Sequence, residues 1–183
     1  MVMATAHQMG IDEWLALPED GLRHELLNGE DVVSPSPTIQ HERAARTLDH
    51  WLGAIVSGRV DVELFRVGDL RLNSRTVVVP DLFLLPSDPG RRLQDWADAP
   101  VPLLAVEILS PSTAARDRVT KRGLYLESGV EEYWIVDLDA QTIERWRQGD
   151  RRPEILAGEF AFALSVGVSG AIALPDLFAE VWR

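Results

Sequence analysis

A chain of 183 residues, 46% of them hydrophobic, is long enough to bury one good core and too short for two full domains, so residues 1–183 are read as a single domain. It contains no cysteine, which excludes disulfides, thiolate zinc sites and cysteine nucleophiles and fits a cytoplasmic location. A formal charge of −11 argues against a general nucleic-acid binder, because nonspecific affinity comes mostly from neutralising phosphates with Lys and Arg.

Local basic patches remain candidates, namely Arg91-Arg92 and the group Arg145, Arg147, Arg151 and Arg152. Residues 1–7 have no basic region followed by an apolar core, and no apolar stretch approaches the roughly 20 residues that span a bilayer. A soluble protein with no membrane partner is expected.

In chain order, residues 11–17, with Asp12 and Glu13 at their start, read as a short amphipathic helix stopped by Pro18. Residues 23–27 and 30–33 flank Asn28-Gly29, which suits a type I′ hairpin. From Thr38 an apolar stripe through Ala44, Ala45, Leu48, Leu52 and Ile55 reads as a long helix, with Gly58 as its stop. Residues 60–67 alternate as a half-exposed strand, and residues 70–72 form a short one. Residues 87–98 read as a loop or short helix. A helix over 114–128 between strands at 101–109 and 131–137 gives a β-α-β order, which implies a parallel pair. Strands between 142 and 174 complete a hairpin-like edge.

Two buried-looking strands each carry one acid that their surroundings do not explain. Residues 76–79 are β-branched throughout and residues 82–85 apolar, with Asp81 the exception, and residues 101–109 are apolar except for Glu107. An unpaired ionised carboxylate inside such a strand costs several kcal/mol, so these acids are expected to be paired, protonated or bound to metal. Pro80-Asp81 would also suit a plain turn, and Pro175-Asp176-Leu177-Phe178 repeats the letters of Pro80-Asp81-Leu82-Phe83, so the tetrapeptide alone assigns no chemistry. In the helix that follows, Asp117, Lys121 and Tyr125 stand at i, i+4 and i+8 and share one side. That is either a surface pair worth about 0.2–0.5 kcal/mol or a lysine aimed at the two carboxylates. In the second case the ammonium would position or help deprotonate a water, or neutralise charge on a phosphate.

Several stretches together resemble the Uma-type putative restriction endonuclease family of the PD-(D/E)XK superfamily. They are Val78-Val79-Pro80-Asp81-Leu82, the run from Val106 to Thr113, Asp117, Lys121 and Tyr125, Gly129-Val130, the run from Glu132 to Asp137, the run from His24 to Glu30, and His41. The resemblance implies an α/β fold: a restriction-endonuclease-like core with a mixed central sheet flanked by helices, an N-terminal hairpin and a C-terminal β extension. It also implies a divalent-metal phosphodiesterase site.

By that resemblance Asp81 and Glu107 are the two superfamily acids and would hold Mg²⁺ or Mn²⁺, with a backbone carbonyl near Ile108 as a further ligand. One or two ions would serve, about 3.5–4 Å apart if there are two. Leu109 stands where the superfamily has lysine, and Lys121 takes that lysine's place. Glu25 would complete the metal shell, or is an exposed hairpin glutamate; His41 is a site residue, or a neighbour of a helix cap.

The expected function is a metal-dependent endonuclease, with DNA as partner. The alternatives are a noncatalytic binding or regulatory module and a hydrolase of small phosphorylated compounds. A homodimer is expected because Trp146, Trp182 and the apolar residues 160–174 exceed what one small domain usually buries.

Overall fold

Asn28 and Gly29 adopt φ angles of 52° and 86°, the two left-handed positions a type I′ turn demands. They fold β1 (Arg23–Leu27) back on β2 (Glu30–Ser34), with Glu25 opposite Val32. The computed structural model describes residues 8–183; residues 1–7, read above as lacking a signal segment, lie outside the described residues. Helix α1 (Ile11–Leu15) precedes the hairpin and ends before the expected Leu17, since the residue ahead of a proline is pushed out of the helical region. Among the described residues no helix is long and apolar enough to cross a membrane.

Thr38 caps α2 (Ile39–Val56): its Oγ1 accepts from the His41 N–H at 3.2 Å, and the helix buries Ala44, Ala45, Leu48 and Leu52. Strands β3 (Val62–Phe65), β4 (Leu70–Asn73), β5 (Thr76–Val78), β6 (Leu82–Pro86) and β7 (Leu104–Ile108) follow. A 3-10 turn at Trp96–Asp98 interrupts the polar excursion before β7.

The single strand expected over residues 76–85 is in fact two strands in two sheets. Strand β5 belongs to a four-stranded sheet of order β2-β1-β5-β4, and β6 to a larger one. The break falls at Val79-Pro80-Asp81 because Pro80 has no N–H to give a ladder. Side chain and neighbouring strand satisfy the backbone there: Glu25 Oε1 accepts from the Val79 N–H at 2.7 Å, and the Asp81 N–H donates to the Val106 carbonyl at 3.1 Å.

The helix expected over 114–128 has three parts. These are α3 (Ala114–Arg116), a π-helical stretch Asp117–Lys121 and α4 (Arg122–Glu127), closed by Gly129 at φ 93°. The π stretch buries both Asp117 and Lys121. Its chain then enters β8 (Glu132–Asp137), parallel to β7 as the β-α-β order predicts.

Strands β9 (Thr142–Arg147) and β10 (Glu154–Leu156) complete a six-stranded mixed sheet of order β10-β9-β8-β7-β6-β3. Strands β11 (Glu159–Ala163) and β12 (Ser169–Ala173) pair separately, and α5 (Leu174–Val181) follows. The second Pro-Asp-Leu-Phe thus opens a helix, not a strand.

Alternation along β6 sends Leu82 and Leu84 to one face, against Leu48, Leu52, Trp134 and Phe178, and Phe83 and Leu85 to the other, against Tyr125, Tyr133 and Trp146. The central sheet is therefore covered on both sides. Phe160, Phe162 and Ile172 enter the first of these cores and Trp146 the second. The large side chains of the apolar surplus that suggested a homodimer are thus mostly buried within the chain, leaving Trp182, 49% exposed, with the small Ala161, Ala163 and Ala171.

Candidate active site

Leu82 pairs with Val106 in the antiparallel β6–β7 ladder, so Asp81, one residue earlier, stands across from Glu107, one residue later. Both acids are nearly inaccessible, at 6% and 4% exposure. Asp81 Oδ2 accepts from the Ile108 N–H at 2.8 Å and lies 3.1 Å from His41 Nε2. Glu107 Oε1 accepts from the Tyr125 hydroxyl at 2.8 Å and from Lys121 Nζ at 2.5 Å. The same ammonium reaches Glu25 Oε1 at 2.8 Å. Helix α2 delivers His41, the π stretch delivers Lys121 and α4 delivers Tyr125, so three separate helical segments converge on the two acids.

Glu25 is not an exposed hairpin glutamate; it is 1% exposed. Its Oε1 serves both the Val79 N–H and Lys121, and its Oε2 accepts from the Ser34 hydroxyl at 3.2 Å. Asp117 is also buried, and its carboxyl is pushed up by burial and by the neighbouring acids Glu25 and Asp81 despite Lys121.

Arg23 joins the site without having been expected there. One guanidinium nitrogen lies 3.5 Å from Asp81 Oδ1 and another donates to the Val79 carbonyl. Its signal was available in the hairpin: Arg23 and Glu25 are two residues apart in a strand and so share a face, and Glu25 already belonged to the resemblance.

The charges are unequal. Burial drives Glu107 well above the ordinary carboxylate range, and Asp81, Asp117 and Glu25 add to this while Lys121 opposes it. Asp81 goes the other way: burial raises it, but His41, the Ile108 N–H and Arg23 together hold it below its usual value. Lys121 is desolvated, which by itself would favour the neutral amine, yet Glu107, Glu25 and Asp117 raise its pKa far enough to keep it an ammonium.

The donor set decides what cation fits. Among the described residues there is no group of three or more His, Cys, Asp or Glu placed to hold a metal, which argues against an all-protein cage. Two carboxylates alone would leave a cation to complete its shell with water and substrate oxygens. The bonds above occupy Asp81 Oδ2 and Glu107 Oε1. They leave Glu107 Oε2, and Asp81 Oδ1 with only its long Arg23 contact, as oxygens with capacity to spare.

The acids lie in a cleft of about 460 Å³, whose rim includes Arg116, Arg118, Ser110, Asp137 and Trp182. Arg118 is committed to Glu144 at 2.6 Å and Asp137 at 2.7 Å. Arg145 and Arg147, expected as phosphate contacts, pair instead with Glu154 and Glu132.

A mixed sheet with two acids facing each other at the start of β6 and the end of β7, and a helix-borne lysine over them, defines a restriction-endonuclease-like α/β protein. The chain belongs to the Uma2 family, described as "Putative restriction endonuclease", whose profile matches residues 11–174. It is 27% identical over 158 residues to "Uncharacterized protein sll1609" of Synechocystis sp. (strain ATCC 27184 / PCC 6803 / Kazusa), a match covering 83% of this chain and 88% of that protein. In fold it is similar to the crystal structure of "a putative nuclease belonging to DUF820" from Anabaena variabilis ATCC 29413. The TM-score is 0.80 at 20% identity, over 94% of this chain and 99% of the other.

Proposed function

We propose that the protein is a divalent-metal-dependent phosphodiester hydrolase acting as an endonuclease on DNA. The observation that carries this reading is the pairing of Asp81 with Glu107 in a cleft where a protonated lysine already touches Glu107 at 2.5 Å. Asp81 and Glu107 would hold Mg²⁺ or Mn²⁺. Such a cation supplies an activated water and neutralises charge on the scissile phosphate.

The chain's own groups have separable tasks. The Ile108 N–H and His41 fix the Asp81 carboxylate through Oδ2, and the Tyr125 hydroxyl fixes Glu107 through Oε1. Glu107, Glu25 and Asp117 raise the Lys121 pKa, which supports a role for the ammonium in orienting water and stabilising negative charge on the phosphate. Glu25 is a positioning residue in this scheme. It steers the Lys121 ammonium and closes the backbone at Val79, and its Oε1 is already used for both. Asp117 adds to the field that keeps Lys121 charged.

The cysteine-free composition supports a cytoplasmic setting. The exposed Trp182 and the exposed Ala161, Ala163 and Ala171 support a homodimer, and light scattering at micromolar concentration tests it. The substrate class is tested by offering the purified protein duplex DNA, RNA and bis(4-nitrophenyl) phosphate in Mg²⁺. Hydrolysis of duplex DNA is expected, whereas turnover of the small diester alone would replace the endonuclease with a small-phosphoester hydrolase.

A further inference from the structure

The cleft does not end at its own rim. Pro37 and Thr38 line it on one side and line a second groove on the other, so the first turn of α2 is the ridge between the two. The second groove carries Arg43, Arg46 and Arg66 against a single acid, Glu42, in a chain whose formal charge is −11.

These arginines are not equivalent. Arg43 donates to the carbonyls of Val181 and Arg183, and Arg66 pairs with Glu42 at 3.1 Å. Arg46 is exposed and, among the described residues, has no hydrogen-bond or ion-pair partner. Within the cleft, Arg116 Nη1 is buried and also has no partner. Such a donor is costly unless something from outside meets it. Between the two lies the N-terminus of an 18-residue helix, whose dipole and whose Ile39 and Gln40 N–H groups, ahead of the capped His41 N–H, favour an anion.

We infer that Arg116, the first turn of α2 and Arg46 form a track for the sugar-phosphate backbone of duplex DNA leading away from the scissile position. This inference rests on the nuclease reading above and adds the surface that the substrate follows. Successive cationic and N–H groups along one path match a polyanion, not a single phosphate. A duplex is favoured over a single strand because, among the described residues, Trp182 is the only Phe, Tyr or Trp lining either groove, whereas sequence-tolerant single-strand binders stack bases on several aromatic side chains.

The test is fluorescence anisotropy of a labelled DNA duplex across a salt series, with Asp81→Asn as the parent so that no strand is cut. Arg46→Ala and Arg116→Ala are compared with Arg151→Ala, whose site between β9 and β10 lies at the end of the sheet away from Asp137 and the cleft. Each track variant is expected to bind several-fold more weakly and to lower the slope of log Kobs against log[salt] by about 1, with Arg151→Ala matching the parent. An unchanged slope in Arg46→Ala and Arg116→Ala, or an equal loss in Arg151→Ala, would overturn the track. Preference for an RNA duplex of the same sequence would overturn its assignment to DNA. If the wild type still cuts DNA in either case, the nuclease reading survives; if it neither binds nor cuts DNA, both fall together.

Discussion

Lys121 Nζ sits 2.5 Å from Glu107 Oε1 although the lysine is carried by a π-helical stretch and not by the strand that bears the glutamate. The side chain is 3% exposed, so the surface-pair reading with Asp117 is not what the chain builds. Lys121→Gln should lower metal-dependent DNA cleavage by roughly 10²-fold per folded molecule. Removing the cation leaves Glu25 and Glu107 buried without the ammonium they share, and the variant should also lose about 3–5 kcal/mol of stability. Lys121→Arg should not restore cleavage, because a planar guanidinium does not fit a point-charge site between two carboxylates. Urea melts and cleavage rates together check both effects, and full activity in Lys121→Gln would remove the lysine from the mechanism.

Glu25 separates a positioning acid from a metal ligand. Glu25→Ala strands the Val79 N–H and loosens Lys121, at a cost of about 3–5 kcal/mol. Glu25→Gln keeps an acceptor for Val79 and should cost clearly less. In calorimetric titration with Mn²⁺, Glu25→Gln should bind much as the wild type does while Asp81→Asn does not. Equal loss in the two variants would put Glu25 in the metal shell.

Asp137, on the rim of the cleft, provides a pH test that does not rest on the titration of the two acids. Burial raises its carboxyl, but the Ala140 N–H and Arg118 outweigh this and hold it below its usual value. A carboxylate with a depressed folded-state pKa stabilises the fold above its unfolded value, near 3.9, and that contribution is lost as the pH falls through the folded pKa. Asp137→Asn keeps an acceptor for Ala140 but loses the charged bond to Arg118, at 2.7 Å. It should be less stable than the wild type by about 1 kcal/mol at pH 7. Urea denaturation at pH 7 and again below about pH 3 should show the gap closing, and a gap that persists in acid would contradict the assignment.

Much of this site could be seen in the residues. Asp81 and Glu107 stood out as acids inside apolar runs, and the parallel β7–β8 pair followed from strand, helix, strand. Helical spacing put Lys121 and Tyr125 on one side, and the structure brings both to Glu107. The break in residues 76–85 was less legible, because the apolar pattern of Val77, Val78 and Val79 is the same whether one sheet or two bury it. Only Pro80 carried the signal. Burial of Glu25 was hidden for a different reason: a hairpin shows its alternation in sequence but not which of its faces the rest of the chain will cover. The apolar residues that suggested a dimer were hidden in the same way, since Phe160, Phe162 and Ile172 are covered by elements distant in sequence.

The most direct measurement is cleavage of a DNA duplex by purified wild type and Asp81→Ala, side by side, with Mg²⁺ or Mn²⁺ and with EDTA. The account predicts metal-dependent cutting by the wild type, abolished by EDTA and absent from a folded Asp81→Ala. Equal cutting by the two proteins, or none by the wild type with either metal on any nucleic acid, would contradict it, and the second result would make the protein a binding module on a nuclease fold.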